Sequence, residues 1–232
     1  MKIAITGEKG FLGTHLTNYF KNNSEFEVIT LGRNYLVNTD KIKEADYLIH
    51  AASIHRNPDP EVVYLHNMEI HKQLVSFLSN NHLKINVIFI SSIQEYLDNP
   101  YGRSKAEGKR LFEDYCEKVG SEFISHSVPN LFGPGAKPNH TSFIATFCYN
   151  IHNNIPCHYN TNEVKLCFVE DAVKVIAKLK KASFSTTKMT VRDVYYLLLG
   201  FKEQLSLNIT PRVRSDFEKN LLQTFLSYRI IK

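Results

Sequence analysis

Tyr101 and Lys105 stand four residues apart, with Ser92 a short way upstream. If the stretch is helical, one turn separates the phenol from the ammonium and both lie on one face. That pair suits carbonyl reduction. The developing alkoxide needs a proton donor, and a phenol serves where a nearby ammonium lowers its pKa. A hydroxyl such as that of Ser92 orients the carbonyl oxygen. With 12 tyrosines in the chain, about one YxxxK match arises by chance. Taken alone, the pair reads equally as two half-buried helix residues, and Ser92 as a strand-end hydroxyl satisfying backbone. Context favours chemistry. The apolar run Asn86–Ile90 ends in Ser91-Ser92, where a parallel strand delivers side chains to a cleft.

A second group of residues points to a dinucleotide. Thr6-Gly7-Glu8-Lys9-Gly10-Phe11-Leu12-Gly13 is a GxxGxxG stretch that follows a strand-like run and opens a helical one. The first glycine permits a tight turn, the second lets backbone approach a pyrophosphate, and the third lets helix and strand pack closely. The helix start then offers free N–H groups and partial positive charge. The second apolar run ends Leu31-Gly32-Arg33, without the acid that would bind an NAD ribose. Arg33, helped by Lys9, suits a 2′-phosphate instead, so the expected cofactor is NADP(H).

Short apolar runs alternate with helical patterns around these residues. Strands are expected at Lys2–Thr6, Glu27–Leu31, Tyr47–His50, Asn86–Ile90 and Phe123–Ser127, with an abbreviated one around Tyr35–Val37. The runs are continuous rather than alternating, as when both sheet faces are covered. Helices are expected at Phe11–Phe20 (apolar face Leu12, Leu16, Tyr19, Phe20), at Glu61–Ser79 (Leu65, Met68, Val75, Leu78), and at Ser104–Lys118. The fold class is α/β, a doubly wound parallel (Rossmann) sheet. Residues 1–128 form its core and residues 129–232 mainly a small C-terminal substrate lobe, some of whose strands can join the core. In that lobe Pro129 and Gly133-Pro134-Gly135 mark a loop. Next come a helix at Ser142–Asn153, a strand at Lys165–Val169, and helices at Glu170–Lys180, Thr190–Leu199 and Ser215–Ser227.

The bulk numbers fit. The chain has 232 residues, 43% hydrophobic and 22% charged, ordinary for a globular protein. No apolar run reaches the ~20 residues that span a bilayer, and the first residues are too short an apolar run for a signal peptide. A cytoplasmic protein without membrane contact is expected. The net charge of +5 is spread out; an anionic small molecule accounts for it as well as nucleic acid does, and no nucleic-acid partner is expected. The four cysteines, Cys116, Cys148, Cys157 and Cys167, form no CxxC pair, and no metal is expected.

The glycine loop, Ala51-Ala52 after the Tyr47–His50 run, Asn67, Ser92 and Pro100-Tyr101-Gly102-Arg103-Ser104-Lys105 resemble an extended short-chain dehydrogenase/reductase of the nucleotide-sugar group. Pro129-Asn130-Leu131-Phe132-Gly133 is similar to that group's substrate-side loop, and Phe168-Val169-Glu170-Asp171 to its strand-to-helix turn. A narrower resemblance rests on Ser92-Ile93-Gln94, Asp98-Asn99-Pro100-Tyr101-Gly102, Pro129-Asn130-Leu131-Phe132-Gly133, and Lys137-Pro138-Asn139 followed by Ile144-Ala145-Thr146-Phe147-Cys148-Tyr149. These look like the reductase domain of the capsular polysaccharide enzymes on the route to UDP-N-acetyl-L-fucosamine. In those enzymes a cupin domain follows the reductase. This chain stops near Tyr228, about where the cupin would begin, and is expected to be a reductase alone or a piece of the longer protein. Ser127 departs from the pattern, which carries arginine there in many members.

The resemblance implies that Tyr101 is the general acid, Lys105 its activator and ribose clamp, and Ser92 the carbonyl positioner. It implies cofactor contacts from Gly7, Lys9, Gly10, Phe11, Leu12, Gly13, Arg33, Ala51, Ala52, Ser91 and Pro129. On the substrate side it implies Asn67, Asn130 toward the diphosphate, and Lys137. Arg212 and Arg214 are candidates for phosphate contacts or plain surface cations, and His55 and Arg56 follow a strand end within reach of substrate. The implied substrate is a nucleotide-linked 4-keto-6-deoxy sugar. The implied assembly is a homodimer through the Glu61–Ser79 and Ser104–Lys118 helices, with Val63, Leu74, Leu111 and Tyr115 as its apolar surface or as core. Two other activities stay open. A sugar 4,6-dehydratase or epimerase holds NAD, but dehydratases of this group place an Asp-Glu pair where Ile93-Gln94 stands. A non-catalytic NADP-binding regulator generally lacks the tyrosine kept here.

Overall fold

The computed structural model describes residues 1–32 and 39–229; Arg33 and the expected Tyr35–Val37 strand lie outside them. Two compact units are present. The first comprises Met1–Val128 with Val173–Ser183, and the second Pro129–Ala172 with Phe184–Lys232.

The first unit is a parallel five-stranded sheet in the order β2-β1-β3-β4-β5. Its strands are β1 (Lys2–Thr6), β2 (Glu27–Thr30), β3 (Tyr47–His50), β4 (Asn86–Ser92) and β5 (Phe123–Val128). The helices are α1 (Phe11–Lys21), α2 (Thr39–Lys43), α3 (Pro60–Asn80) and α4 (Pro100–Val119). β1, β3 and β4 are almost wholly buried, which explains their continuous apolar sequence. The order reverses between β1 and β3, and such a switch point is where open α/β sheets bind ligands.

Local sequence sets the helix limits. Asp59 caps α3 by accepting from the Glu61 amide, with Pro60 at the first position. Asn99 caps α4 from the Gly102 amide at 2.8 Å, with Pro100 next, and Gly120 ends it at φ +66. Such caps and the left-handed glycine satisfy the orphan backbone groups at helix ends.

The buried face of α3 differs from the expected one. Met68 and Leu78 are buried as expected, but Leu65 is 63% exposed, whereas Val63, Asn67, His71 and Leu74 are buried. On α1, Tyr19 is likewise exposed. Val63, Leu74 and Tyr115 are buried inside the chain itself, so they form core rather than a surface for a partner.

His71 of that buried stripe ends a hydrogen-bonded chain from β1 and β3. Thr6 Oγ1 is hydrogen-bonded to His50 Nδ1 at 2.7 Å, and His50 Nε2 to His71 Nδ1 at 2.9 Å. Burial pushes both imidazoles down, His71 to about 3, with Lys105 and, for His50, its partner His71 adding to the effect. A depressed histidine contributes stability above its unfolded pKa of about 6.5 and loses it as pH falls. The pair should therefore lose stability between pH 7.5 and 5.5, His71 by about 1 kcal/mol and His50 in the same sense. Lys105, His126 and His152, also pushed down by burial, act in the same sense. Urea unfolding at the two pH values checks this. His71→Gln should remove the His71 share, and pH-independent stability would contradict it.

The second unit carries a separate three-stranded sheet in the order β6-β7-β8. Its strands are β6 (Asn130–Phe132), β7 (Glu163–Phe168) and β8 (Thr187–Thr190). β6 and β7 are parallel, while β7 and β8 are antiparallel. No described strand of this unit pairs into the five-stranded sheet, while Val173–Ser183, from the expected lobe, belongs to the first unit. The helices are α5 (Phe143–His152), α7 (Val191–Ser206) and α8 (Asp216–Ser227), and α6 (Val169–Ile176) starts here and ends in the first unit. α6 stops short of the expected Lys180 because Leu179 turns left-handed, at φ +51.

Candidate active site

β4 ends at Ser91-Ser92 and runs directly into a 3-10 turn, Ile93–Tyr96. Ser92 caps that turn, its Oγ accepting from the Gln94 amide at 3.2 Å. α4 then begins so close to the turn that a Cβ at Gly102 would lie 2.2 Å from the Gln94 carbonyl oxygen. Only glycine permits this approach, which sets Tyr101 beside the strand end. The hydroxyls of Ser92 and Ser53 both hydrogen-bond the Tyr101 phenol. Burial pushes that phenol well above its ordinary value, and the two serines pull it part of the way back.

Lys105 lies one turn further along α4 and is 2% exposed. Its Nζ donates to the Ile90 carbonyl at 3.0 Å and sits 5.3 Å from the Phe89 ring centre and 5.7 Å from that of Tyr101. Burial holds its pKa down to about 7, while the Glu95 carboxylate works against that fall. The structure thus brings Ser92, Tyr101 and Lys105 together. The tyrosine's perturbation arises from burial and the serines rather than from the expected lowering by lysine.

Sequence reasoning missed Ser53 and Glu95. Ser53 is the third residue past β3, one position beyond Ala51-Ala52, and that adjacency to the switch point was the available signal. His55 packs on Tyr101 with ring centres 5.0 Å apart. Arg56 is exposed. Asn67 is fully buried: its Oδ1 accepts from the Ile54 amide at 2.8 Å, and its Nδ2 donates to the Ile54 carbonyl and Ser104 Oγ. It clamps the loop carrying Ser53 and His55.

At the glycine loop, Gly7 has φ +73, and a Cβ there would lie 2.7 Å from the Ala52 nitrogen. The loop is thereby pressed against the end of β3, which needs glycine on both counts. α1 opens at Gly10 with no side-chain cap and no acid in its first turn. Its leading amides thus keep their capacity for an anion, and these residues fit a dinucleotide pyrophosphate. Phe11 and Leu12 are half-buried beside them and Lys9 is exposed.

The remaining candidates belong to the second unit. Pro129 is buried; Asn130 and Lys137 are exposed, the Asn130 amide donating to the Lys165 carbonyl at 3.2 Å. Arg212 and Arg214 are exposed.

A nucleotide-binding Rossmann sheet with serine, tyrosine and lysine at the end of β4 defines the class of protein. The model of the NAD dependent epimerase/dehydratase family matches residues 3–188, and the chain belongs to that family. It is 29% identical over 241 residues to a UDP-2-acetamido-2,6-beta-L-arabino-hexul-4-ose reductase of Pseudomonas aeruginosa, covering 98% of this chain and 65% of that protein. It resembles the capsular polysaccharide assembling protein CapF from Staphylococcus aureus, with a TM-score of 0.85 and 31% identity over 98% of this chain and 66% of that one. The chain therefore spans about two thirds of the length of these relatives. RMD from Pseudomonas aeruginosa, solved with NADPH, shares the fold at TM-score 0.78 and 17% identity, over 99% of this chain and all of that one. No described helix is long and apolar enough to cross a membrane.

Proposed function

We propose that this chain reduces the 4-keto group of a nucleotide-linked 4-keto-6-deoxy sugar, UDP-linked and destined for capsule or O-antigen precursors, with NADPH as reductant. One observation carries the reading. The half-buried Tyr101 phenol lies between two serine hydroxyls, a helical turn from a buried lysine, in a chain that aligns over 98% of its length with a reductase of a UDP-linked 4-keto sugar.

The dinucleotide, when bound, supplies the hydride that the keto carbon accepts. Negative charge then grows on the carbonyl oxygen. Ser92 holds that oxygen by a hydrogen bond, and Tyr101 gives it the proton. The Lys105 ammonium stabilises the tyrosinate left behind. Ile93 and Gln94 have no acid–base capacity, and the carboxylate of Glu95 is occupied by Ser91, Ser127 and Lys109. That supports reduction over dehydration.

The choice of NADPH rests on Lys9 and Arg33. The expected result is NADPH oxidation with one of a panel of UDP-, dTDP- and GDP-4-keto-6-deoxy sugars, and calorimetric binding of NADPH tighter than NADH. Equal or tighter NADH binding overturns the cofactor assignment. Failure to oxidise NADPH with every sugar in the panel overturns the reaction.

A further inference from the structure

A carboxylate lies among hydroxyls directly behind Ser92. The Glu95 side chain is only 3% exposed. One of its oxygens accepts from Ser91 Oγ, the other from Ser127 Oγ at 2.6 Å. Ser91 and Ser127 are register partners in the β4–β5 ladder, so the carboxylate bridges the ends of two adjacent strands. Lys109 Nζ stands 3.7 Å from the oxygen that Ser127 contacts. Burial by itself raises this carboxyl, but hydrogen bonds from Ser127, Ser91 and Tyr96, with the Lys109 charge, hold it below the ordinary value. It is therefore ionised at neutral pH.

Two lines run from this carboxylate to the candidate site. The first is mechanical. Glu95 belongs to the turn that Ser92 caps, so fixing it to both strands fixes the turn that orients Ser92. Lys109 is one helical turn past Lys105, so the same carboxylate also ties α4 to the strand ends. The second is electrostatic. Lys105 is faced by His50 from β3, His71 from α3, Glu95 from the turn and Tyr101 on its own helix. The histidines and the phenol are neutral at pH 7, and a protonated histidine would only repel the ammonium. Among these described neighbours, Glu95 supplies the negative charge: Lys105 holds the Ile90 carbonyl and Glu95 accepts from Ser91, so the two charges are anchored at consecutive residues of β4.

We propose that Glu95 is a positioning residue of this centre, a buried carboxylate strap that fixes Ser92 and keeps Lys105 in its ammonium form. The proposal rests on the reductase reading for the use made of Lys105; the coupling between the two residues stands apart from it.

The test follows the Lys105 titration directly, in the full chain carrying carbon-13 lysine, with the resonance assigned through Lys105→Arg. Glu95→Gln keeps the side chain's shape and an acceptor but removes the charge. Its Lys105 midpoint should fall by about one pH unit, the lower end of what a close opposite charge contributes. Ser127→Ala keeps the charge, and its midpoint should stay where it is in the parent chain. The alkaline limb of kcat/KM on the best keto-sugar should move down with the midpoint in Glu95→Gln alone. An unmoved midpoint in Glu95→Gln, or an equal shift in Ser127→Ala, overturns the proposal. Lys105→Met carries the test if Glu95→Gln does not fold: the coupling is reciprocal, so losing the Lys105 ammonium must raise the Glu95 midpoint read on carbon-13 glutamate, and no rise overturns it. If the midpoint moves as expected while the parent chain turns over no keto-sugar, the coupling survives and the reductase reading falls.

Discussion

Replacing Tyr101 with phenylalanine should lower kcat by ~10²–10⁴, the usual worth of a positioned acid, and leave NADPH affinity almost unchanged. The ring would keep its packing on His55 at 5.0 Å and on Lys105 at 5.7 Å. Only the hydroxyl is lost, together with its hydrogen bonds to Ser92 and Ser53. Those serine hydroxyls can turn to other acceptors, so the structural cost is small. The chemical cost is large, because the alkoxide oxygen then has no donor held at its position. Lys105 is the contrasting residue. Lys105→Met should weaken turnover and dinucleotide binding together, since this lysine is proposed to serve both. Single-turnover NADPH oxidation and a fluorescence titration separate the two quantities. Near-normal turnover by Tyr101→Phe would remove the assigned acid and reduce the Tyr–Lys spacing to a coincidence of helix geometry. The same assay bears on an epimerase, which returns its hydride to the sugar and consumes no NADPH in stoichiometric amount.

The parts of this structure that declare themselves in sequence are those where one physical demand dominates. β1, β3 and β4 are covered on both faces, so their residues are continuously apolar. The glycine loop is a close approach of backbone to backbone, which only glycine tolerates. Tyr101 and Lys105 share a helix face, so spacing alone relates them. The rest required the third dimension. The buried face of α3 carries Asn67, which pairs with Ile54 and Ser104, and His71, whose Nδ1 pairs with His50; with polar residues in the stripe, the helical period pointed to the exposed Leu65 instead. β6 and β8 are three and four residues long, too short for a pattern to show. Ser53 reaches Tyr101 because Asn67 clamps the intervening loop. Glu95 reaches Ser127 because a 3-10 turn folds it back over the strand ends. Neither relation has a sequence period.

Gly10 and Gly13 should respond differently to alanine, and the difference tests whether the loop is built for a ligand. A Cβ at Gly13 would lie 2.0 Å from the Gly7 carbonyl oxygen and 2.7 Å from its carbon. These are backbone atoms, and they yield only if the start of α1 moves away from β1. Gly13→Ala should therefore destabilise the chain by ~1–3 kcal/mol, as overpacking does, and weaken NADPH by displacing the leading amides of α1. Gly10 carries no such constraint. It is exposed, its φ is −75°, open to any residue, and its nearest Cβ contact is the Gly7 oxygen at 3.1 Å. A shift of a few tenths of an ångström accommodates a methyl there, so Gly10→Ala should change stability by no more than about 0.5 kcal/mol. The fold alone gives little reason for glycine at this position; a pyrophosphate lying against the backbone does. NADPH affinity of Gly10→Ala should drop ~10-fold or more, which corresponds to ~1.4 kcal/mol or more of lost binding. Urea unfolding paired with calorimetric titration reads both quantities on the same preparations. If Gly10→Ala binds NADPH as tightly as the parent chain, no phosphate approaches that backbone, and the glycine loop is a packing turn between β1, β3 and α1.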